Sequence, residues 1–177
     1  AGPGYAKTMA VDDEGRQLAW LFSADTGKVK VYELKLWSLD DDRTITAADT
    51  GVAGMPGGWC VSEHGKVYFS GNGRRLFFGT AAIPEEEPED TLTDDEKVSV
   101  DIWNWKDVRL QPQQLKQKDD DLKRSFDAVY HIPQGKMVQL ADEQIDRLGM
   151  DRNHNGPYAL GYSRKPYLRE SSWDADG

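Results

Sequence analysis

Imidazole chemistry in this chain rests on three side chains, His64, His131 and His154. A histidine base needs a hydroxyl or thiol within hydrogen-bond reach, and none of the three stands next to a plausible nucleophile in sequence. His64 falls in a turn, His154 in a polar turn and His131 on a strand, which reads as three ordinary surface or strand histidines. A nucleophile elbow requires G-x-S-x-G, because its strained turn tolerates only small neighbours. The nearest approach is Gly161-Tyr162-Ser163-Arg164-Lys165, which ends in lysine and lacks a strand-to-helix setting. No catalytic residue is assigned.

Metal chemistry has one candidate. Asp151-Arg152-Asn153-His154-Asn155-Gly156 matches the start of a calcium loop, with oxygen ligands at alternate positions and a glycine for the sharp turn. Asp151, Asn153 and Asn155 would be the ligands. Tyr162 stands where such a loop places its bidentate glutamate, and the flanks do not read as helices. The competing reading is a plain turn between repeated units. Zinc is disfavoured, since no paired cysteines or close histidine pair exist. Beyond calcium, no cofactor is expected.

Trp59, Trp103 and Trp105 could stack on a sugar or a peptide. Aromatic residues at period two in a sheet also serve as packing. Cys60 is the only cysteine, so no internal disulfide can form, and beside Trp59 it reads as a small buried hydrophobe.

The elements that must position these residues centre on Trp59–Thr80. The stretch reads as three short strands, Cys60–Ser62, Lys66–Ser70 and Arg75–Thr80, with turns at Glu63-His64-Gly65 and Gly71-Asn72-Gly73. Asn-Gly predicts a type I′ turn, with positive φ at both central residues. Upstream, strands are expected at Ala6–Val11, Arg16–Phe22, Val29–Trp37 and Thr44–Ala47, with a Gly-rich loop over Thr50–Gly58. In Val29–Trp37, Lys30, Tyr32, Leu34 and Leu36 share one face, and neither face is purely apolar. Downstream, Val98–Trp105 alternates, Asp107–Lys123 is a polar connection with at most a helical turn near Leu115, and Arg124–Ile132 and Lys136–Leu140 flank Pro133-Gln134-Gly135. Glu143–Leu148 suggests a short helix, Asp151–Gly156 a turn and Tyr158–Tyr162 a strand.

A unit recurs: a turn rich in Asp, Asn or Gly, a basic or polar residue, then an apolar strand. It occurs at Asp12–Phe22, Ser70–Phe78 and Asp151–Tyr162, about sixty and about eighty residues apart, longer than compact propeller repeats. Many short strands without a long helix define an all-β class. Sandwich and propeller both fit; the recurrence favours antiparallel β-propeller blades, a partial propeller of about three blade-like units.

Composition narrows the partners. Net charge is −9 over 177 residues, and Ile83–Glu96 alone holds eight acidic residues and no basic one, leaving 23 acidic against 22 basic elsewhere. This acidic insertion reads as a solvated loop, with a cation or basic partner as the sharper alternative. No basic face suits nucleic acid, and no segment reaches the roughly 20 apolar residues of a membrane helix. Aromatic residues make up 10% of the chain, which supplies burial and argues against disorder. The first residues, Ala-Gly-Pro-Gly, and the last, Ser-Ser-Trp-Asp-Ala-Asp-Gly, lead us to expect an excised fragment. Cut blade edges would then favour self-association.

The sequence S-G-N-G-R-R-L-F-F-G-T resembles the S-x-D-G-x-x-L-x-F repeat of TolB-like and WD40-like propellers. Four segments in order resemble the N-terminal β-propeller of bacterial prolyl oligopeptidase (S9) family peptidases. They are G-W-C-V-S-E-H-G-K-V-Y-F-S-G-N-G-R-R-L-F-F-G-T, V-D-I-W-N-W-K-D-V-R-L-Q-P, A-V-Y-H-I-P-Q-G-K-M-V-Q-L-A-D, and Y-A-L-G-Y with the final S-S-W-D. Asn72 replaces the usual Asp. The resemblance implies a non-catalytic segment, residues 1–177, that shapes substrate access. Its partners would be a C-terminal α/β-hydrolase domain of the same parent chain, absent from this sequence, and that parent's peptide substrates. It also implies an exported, periplasmic or secreted, setting. A stand-alone TolB-like propeller binding a protein or glycan is the alternative.

Overall fold

A computed structural model describes residues 3–86, 107, 109 and 111–168. The chain divides into two compact units, 1–84 with 123–163, and 85–122 with 164–177. The expected strand Val98–Trp105, with Trp103 and Trp105, lies outside the described residues, as does most of the acidic insertion.

The first unit is built of antiparallel β-sheets. Strands β1 (Tyr5–Val11), β2 (Gln17–Ser23), β3 (Glu33–Ser38) and β4 (Arg43–Ala48) form a four-stranded meander in chain order. The second sheet contains β5 (Trp59–Val61), β6 (Tyr68–Phe69), β7 (Arg75–Ala82), β8 (Phe126–His131) and β9 (Lys136–Gln139). A third sheet pairs β10 (Arg147–Gly149) with β11 (Leu160–Tyr162). These are up-and-down sheets of the β-propeller type: two four- to five-stranded blade-like units and a third of two strands.

Alternation decides which side chains enter the core. In β2, Ala19, Leu21 and Ser23 are buried; in β3, Leu34 and Leu36 are. Tyr32, Leu34 and Leu36 thus form the inward face, while Glu33, Lys35 and Trp37 are half-buried. The regular strand begins later than Val29. Asp25 Oδ2 accepts the Val31 N–H at 2.8 Å and holds the preceding residues in a loop. One cluster joins Leu21, Leu34 and Leu36 to Val61, Leu76, Phe78, Ala128 and Met137 of the second sheet. Burying each such aliphatic side chain stabilises the fold by about 1.5–3 kcal/mol.

The Trp59–Thr80 stretch departs from two successive hairpins. β5 pairs with Thr80–Ala82 and β6 with Leu76–Phe77, both on β7. They are one edge strand interrupted at Glu63–Val67, so β7 is paired along its length. The interruption follows from a close backbone approach: a Cβ on Gly65 would lie 2.4 Å from Gly79 Cα. Ser62 N–H still reaches Gly79 O at 2.9 Å.

Two helix expectations change. Glu143–Leu148 is not helical, because Asp142 Oδ1 accepts the N–H groups of Gln144 and Ile145 and turns the chain into β10. In the second unit, α1 (Gln111–Leu122) runs for 12 residues and buries none of them. The sequence there gave one turn. Gln, Lys and Leu sustain the helix by propensity, and Pro112 sits in the first turn, where its missing N–H costs nothing.

Candidate functional site

The recurring motif folds into one six-residue turn, repeated three times. At Asp12–Gln17, Gly15 N–H donates to Asp12 O at 3.0 Å, Gly15 is left-handed (φ 69°), and Asp12 Oδ1 accepts the N–H groups of Arg16 and Gln17. At Ser70–Arg75, Gly73 N–H donates to Ser70 O at 2.8 Å, Gly73 is left-handed (φ 65°), and Ser70 Oγ accepts Arg75 N–H. Asn72 Oδ1 takes the Arg74 N–H. At Asp151–Gly156, His154 N–H donates to Asp151 O at 3.0 Å, His154 is left-handed (φ 55°), and the Asp151 carboxylate accepts the Asn155 and Gly156 N–H groups. Each turn joins the first and second strands of its unit: β1 to β2, β6 to β7, and β10 to β11. The second is therefore not type I′, since only Gly73 of Gly71-Asn72-Gly73 has positive φ.

The three turns touch in sequence. Gln17 Nε2 donates to Gly73 O at 2.8 Å. Gly71 N–H donates to Asn153 O at 2.9 Å and Asn72 N–H to Asn155 Oδ1 at 3.0 Å. Arg75 Nη1 donates to His154 O and Gly156 O at 3.1 and 2.9 Å. Equivalent corners of successive sheets thus lie side by side, and the contacts are almost all to backbone.

This places the candidate calcium ligands. Both Asp151 oxygens receive backbone N–H groups, and Asn155 Oδ1 receives one from the neighbouring turn. The N–H of Gly156 above all, with that of Asn155, holds the Asp151 carboxyl below its ordinary range. Asp151 and Asn155 thus take part in turn hydrogen bonds through their side chains, and Asn153 through its carbonyl, which accepts the Gly71 N–H. Among the described residues no group of three or more His, Cys, Asp or Glu side chains could hold a metal ion.

His154 reaches back over the second sheet. Its ring centroid lies 5.1 Å from that of Tyr68 and 5.5 Å from that of Phe77, and those two rings stack at 5.0 Å. Burial and the nearby Asp127 carboxylate push the Tyr68 hydroxyl up to about 12. His131 ends β8 opposite Arg75, and His64 is exposed in the interrupted edge. Trp59 is half-buried and packs on Phe126, centroids 5.1 Å apart. Cys60 is buried, and that burial raises its thiol pKa.

Sequence reasoning passed over Arg75, Tyr68 and Phe77. The only available signal was position: Arg75 is the sixth residue of the recurring turn and the first of its strand. What it faces is set by pairing of β7 with β8, which local sequence does not encode.

The fold and its repeated corner define an all-β protein of partial β-propeller type. No protein-family model matches the chain, and no curated protein matches it. Among solved structures it is similar to the crystal structure of the tricorn protease, at 7% identity and a TM-score of 0.30. The match covers 90% of this chain and 21% of that one, so this chain spans about a fifth of its length. A likeness of that size assigns no function.

Proposed function

We propose that this chain is a non-catalytic β-propeller segment of an S9-type serine peptidase, where it shapes access of peptide substrates to a hydrolase domain of the same parent chain. One observation carries the reading. The motif that resembles the TolB-like repeat, Ser70–Phe78, folds into a corner that recurs at the same point of all three sheets. Repetition of one corner in successive sheets is what a propeller needs, because each sheet buries its faces against its neighbours. The S9 assignment rests on the ordered set of four sequence segments.

Incubating the purified chain with chromogenic dipeptide substrates and a serine-hydrolase probe tests the non-catalytic part. We expect neither specific turnover nor labelling, and either one would refute it. Reading the gene beyond the codon for Gly177 tests the parentage. A G-x-S-x-G followed by Asp and His supports it; a stop codon soon after a closing blade favours a stand-alone binding propeller. The second reading has one observation in its favour. Tyr158, Leu160 and Tyr162 alternate along β11 and its approach, and all three are exposed, as a protein-binding surface would require.

A further inference from the structure

The second sheet carries an unusual row of side chains. Register sets Arg75 of β7 opposite His131 of β8, and His131 opposite Lys136 of β9. Residues directly opposite share a face, so the row holds two cations and an imidazole side by side. Like charges in such positions destabilise a sheet. Among the described residues no carboxylate forms an ion pair with any of the three. The next row on the same face is apolar: Phe77 opposite Val129, and Val129 opposite Val138.

A hollow of about 100 Å³ opens over these two rows, closed on its other side by residues 150–159. Arg75, His131, Phe77, Val129, Leu140 and Tyr158 line it. Arg75 is fixed in place, because Nη1 alone makes both bonds to the carbonyls of His154 and Gly156. Its Nη2 and Nε have no partner among the described residues, and they are the arms that make a forked contact with a carboxylate. Asp151 is the one carboxylate lining the hollow, and both of its oxygens are occupied by N–H groups of its own turn. Asp127 lies further along the same face, near Tyr68 and His154. The row therefore sets Arg75 and His131 on the hollow, with Lys136 next to His131, against the single ionised carboxylate of Asp151 and beside an apolar wall.

We propose that this hollow binds a small carboxylic acid with a short apolar body. The carboxylate sits between Arg75 and His131, with Lys136 opposite His131 on β9. The body lies on Phe77, Val129 and Leu140. A carboxylate fits better than phosphate, since a fully hydrated anion gains nothing from the apolar wall. A dry apolar cavity of about 150 Å³ admits a benzene ring; this hollow is smaller but open, so one ring or a short chain enters with part of it exposed. Burial, then Arg75 and Lys136, hold His131 below the ordinary imidazole value of 6.5. It is thus neutral at pH 7, and a bound anion would favour its protonation. The proposal stands whether or not the S9 parentage holds.

Benzoate is the probe, titrated into the whole chain and followed by chemical-shift changes of the Arg75, Phe77 and His131 amides. Saturable binding is expected, about fivefold tighter at pH 5.5 than at pH 7.5. Benzamide, with the same ring and no charge, should bind at least about tenfold more weakly. Lys136→Glu should weaken benzoate about fivefold, and His131→Gln should remove the pH dependence while the spectrum stays that of the folded chain. No saturable shift in the folded protein overturns the proposal. So does benzamide binding as well as benzoate, or inorganic phosphate binding as tightly as benzoate.

Discussion

The second and third corners of this protein share one hydrogen-bond scheme and differ in what they do with it. In Ser70–Arg75 the left-handed position is Gly73, and Ser70 is 1% exposed. In Asp151–Gly156 that position is His154, and Asp151 is exposed. A left-handed residue with a side chain costs about 1–2 kcal/mol. The second corner avoids this cost because it has no room: a Cβ on Gly73 would lie 3.0 Å from Gln17 Nε2 and 3.3 Å from Asp12 Oδ2. The third corner accepts it, and in return an imidazole is laid on Tyr68 and Phe77. The same backbone is thus a joint between sheets at both sites, and at the third corner it is also a support for a side chain.

Gly73→Val tests the tighter corner hardest. It combines positive φ on a β-branched residue with crowding against Gln17 and Asp12, and should cost roughly 3 kcal/mol. Thermal melting should fall by on the order of 5–10 °C; an unchanged melting temperature would show that the corner is not a rigid joint.

A pair of variants separates strain from contact at the looser corner. His154→Gly relieves the left-handed cost and loses the ring contacts, so the two effects offset to within about 1 kcal/mol. His154→Ala loses the contacts and keeps the strain. It should be less stable than His154→Gly by about 1 kcal/mol in urea unfolding. Equal stability would mean that the backbone there is relaxed.

The smallest effect is a pH dependence. The Asp151 carboxyl titrates below its ordinary value of 3.8 in the folded chain. Its contribution is fully present above that value and is lost as pH falls through the lower, folded one. Asp151→Asn keeps the shape without the charge. It should flatten the loss of stability on acidification below about pH 4, and an unaltered acid profile would mean that the turn N–H groups do not favour the ionised form.

Much of this was readable in the residues. Alternation put Tyr32, Leu34 and Leu36 on one face, though with neither face purely apolar it did not say which was buried, and Asp12, Ser70 and Asp151 announced a recurring corner by composition. The readings that failed were local signals overridden by local hydrogen bonds or by pairing. Asn72-Gly73 promised a type I′ turn, but Ser70 Oγ and Asn72 Oδ1 capture N–H groups and set a different one. Glu143–Leu148 had helix-forming residues, yet Asp142 caps a turn and the chain enters β10. For Lys66–Ser70 the strand was legible, but its partner was not.

The sequence by itself determined the class of fold, the corners and which side chains share a face, because alternation, turn chemistry and side-chain size act over a few neighbouring residues. Tertiary structure alone decided that β5 and β6 share one strand's edge, that three corners distant in sequence touch, and that Arg75, His131 and Lys136 stand in one row. Those are matters of pairing between strands and corners that lie up to 83 residues apart, and register is settled by which apolar faces can be buried together.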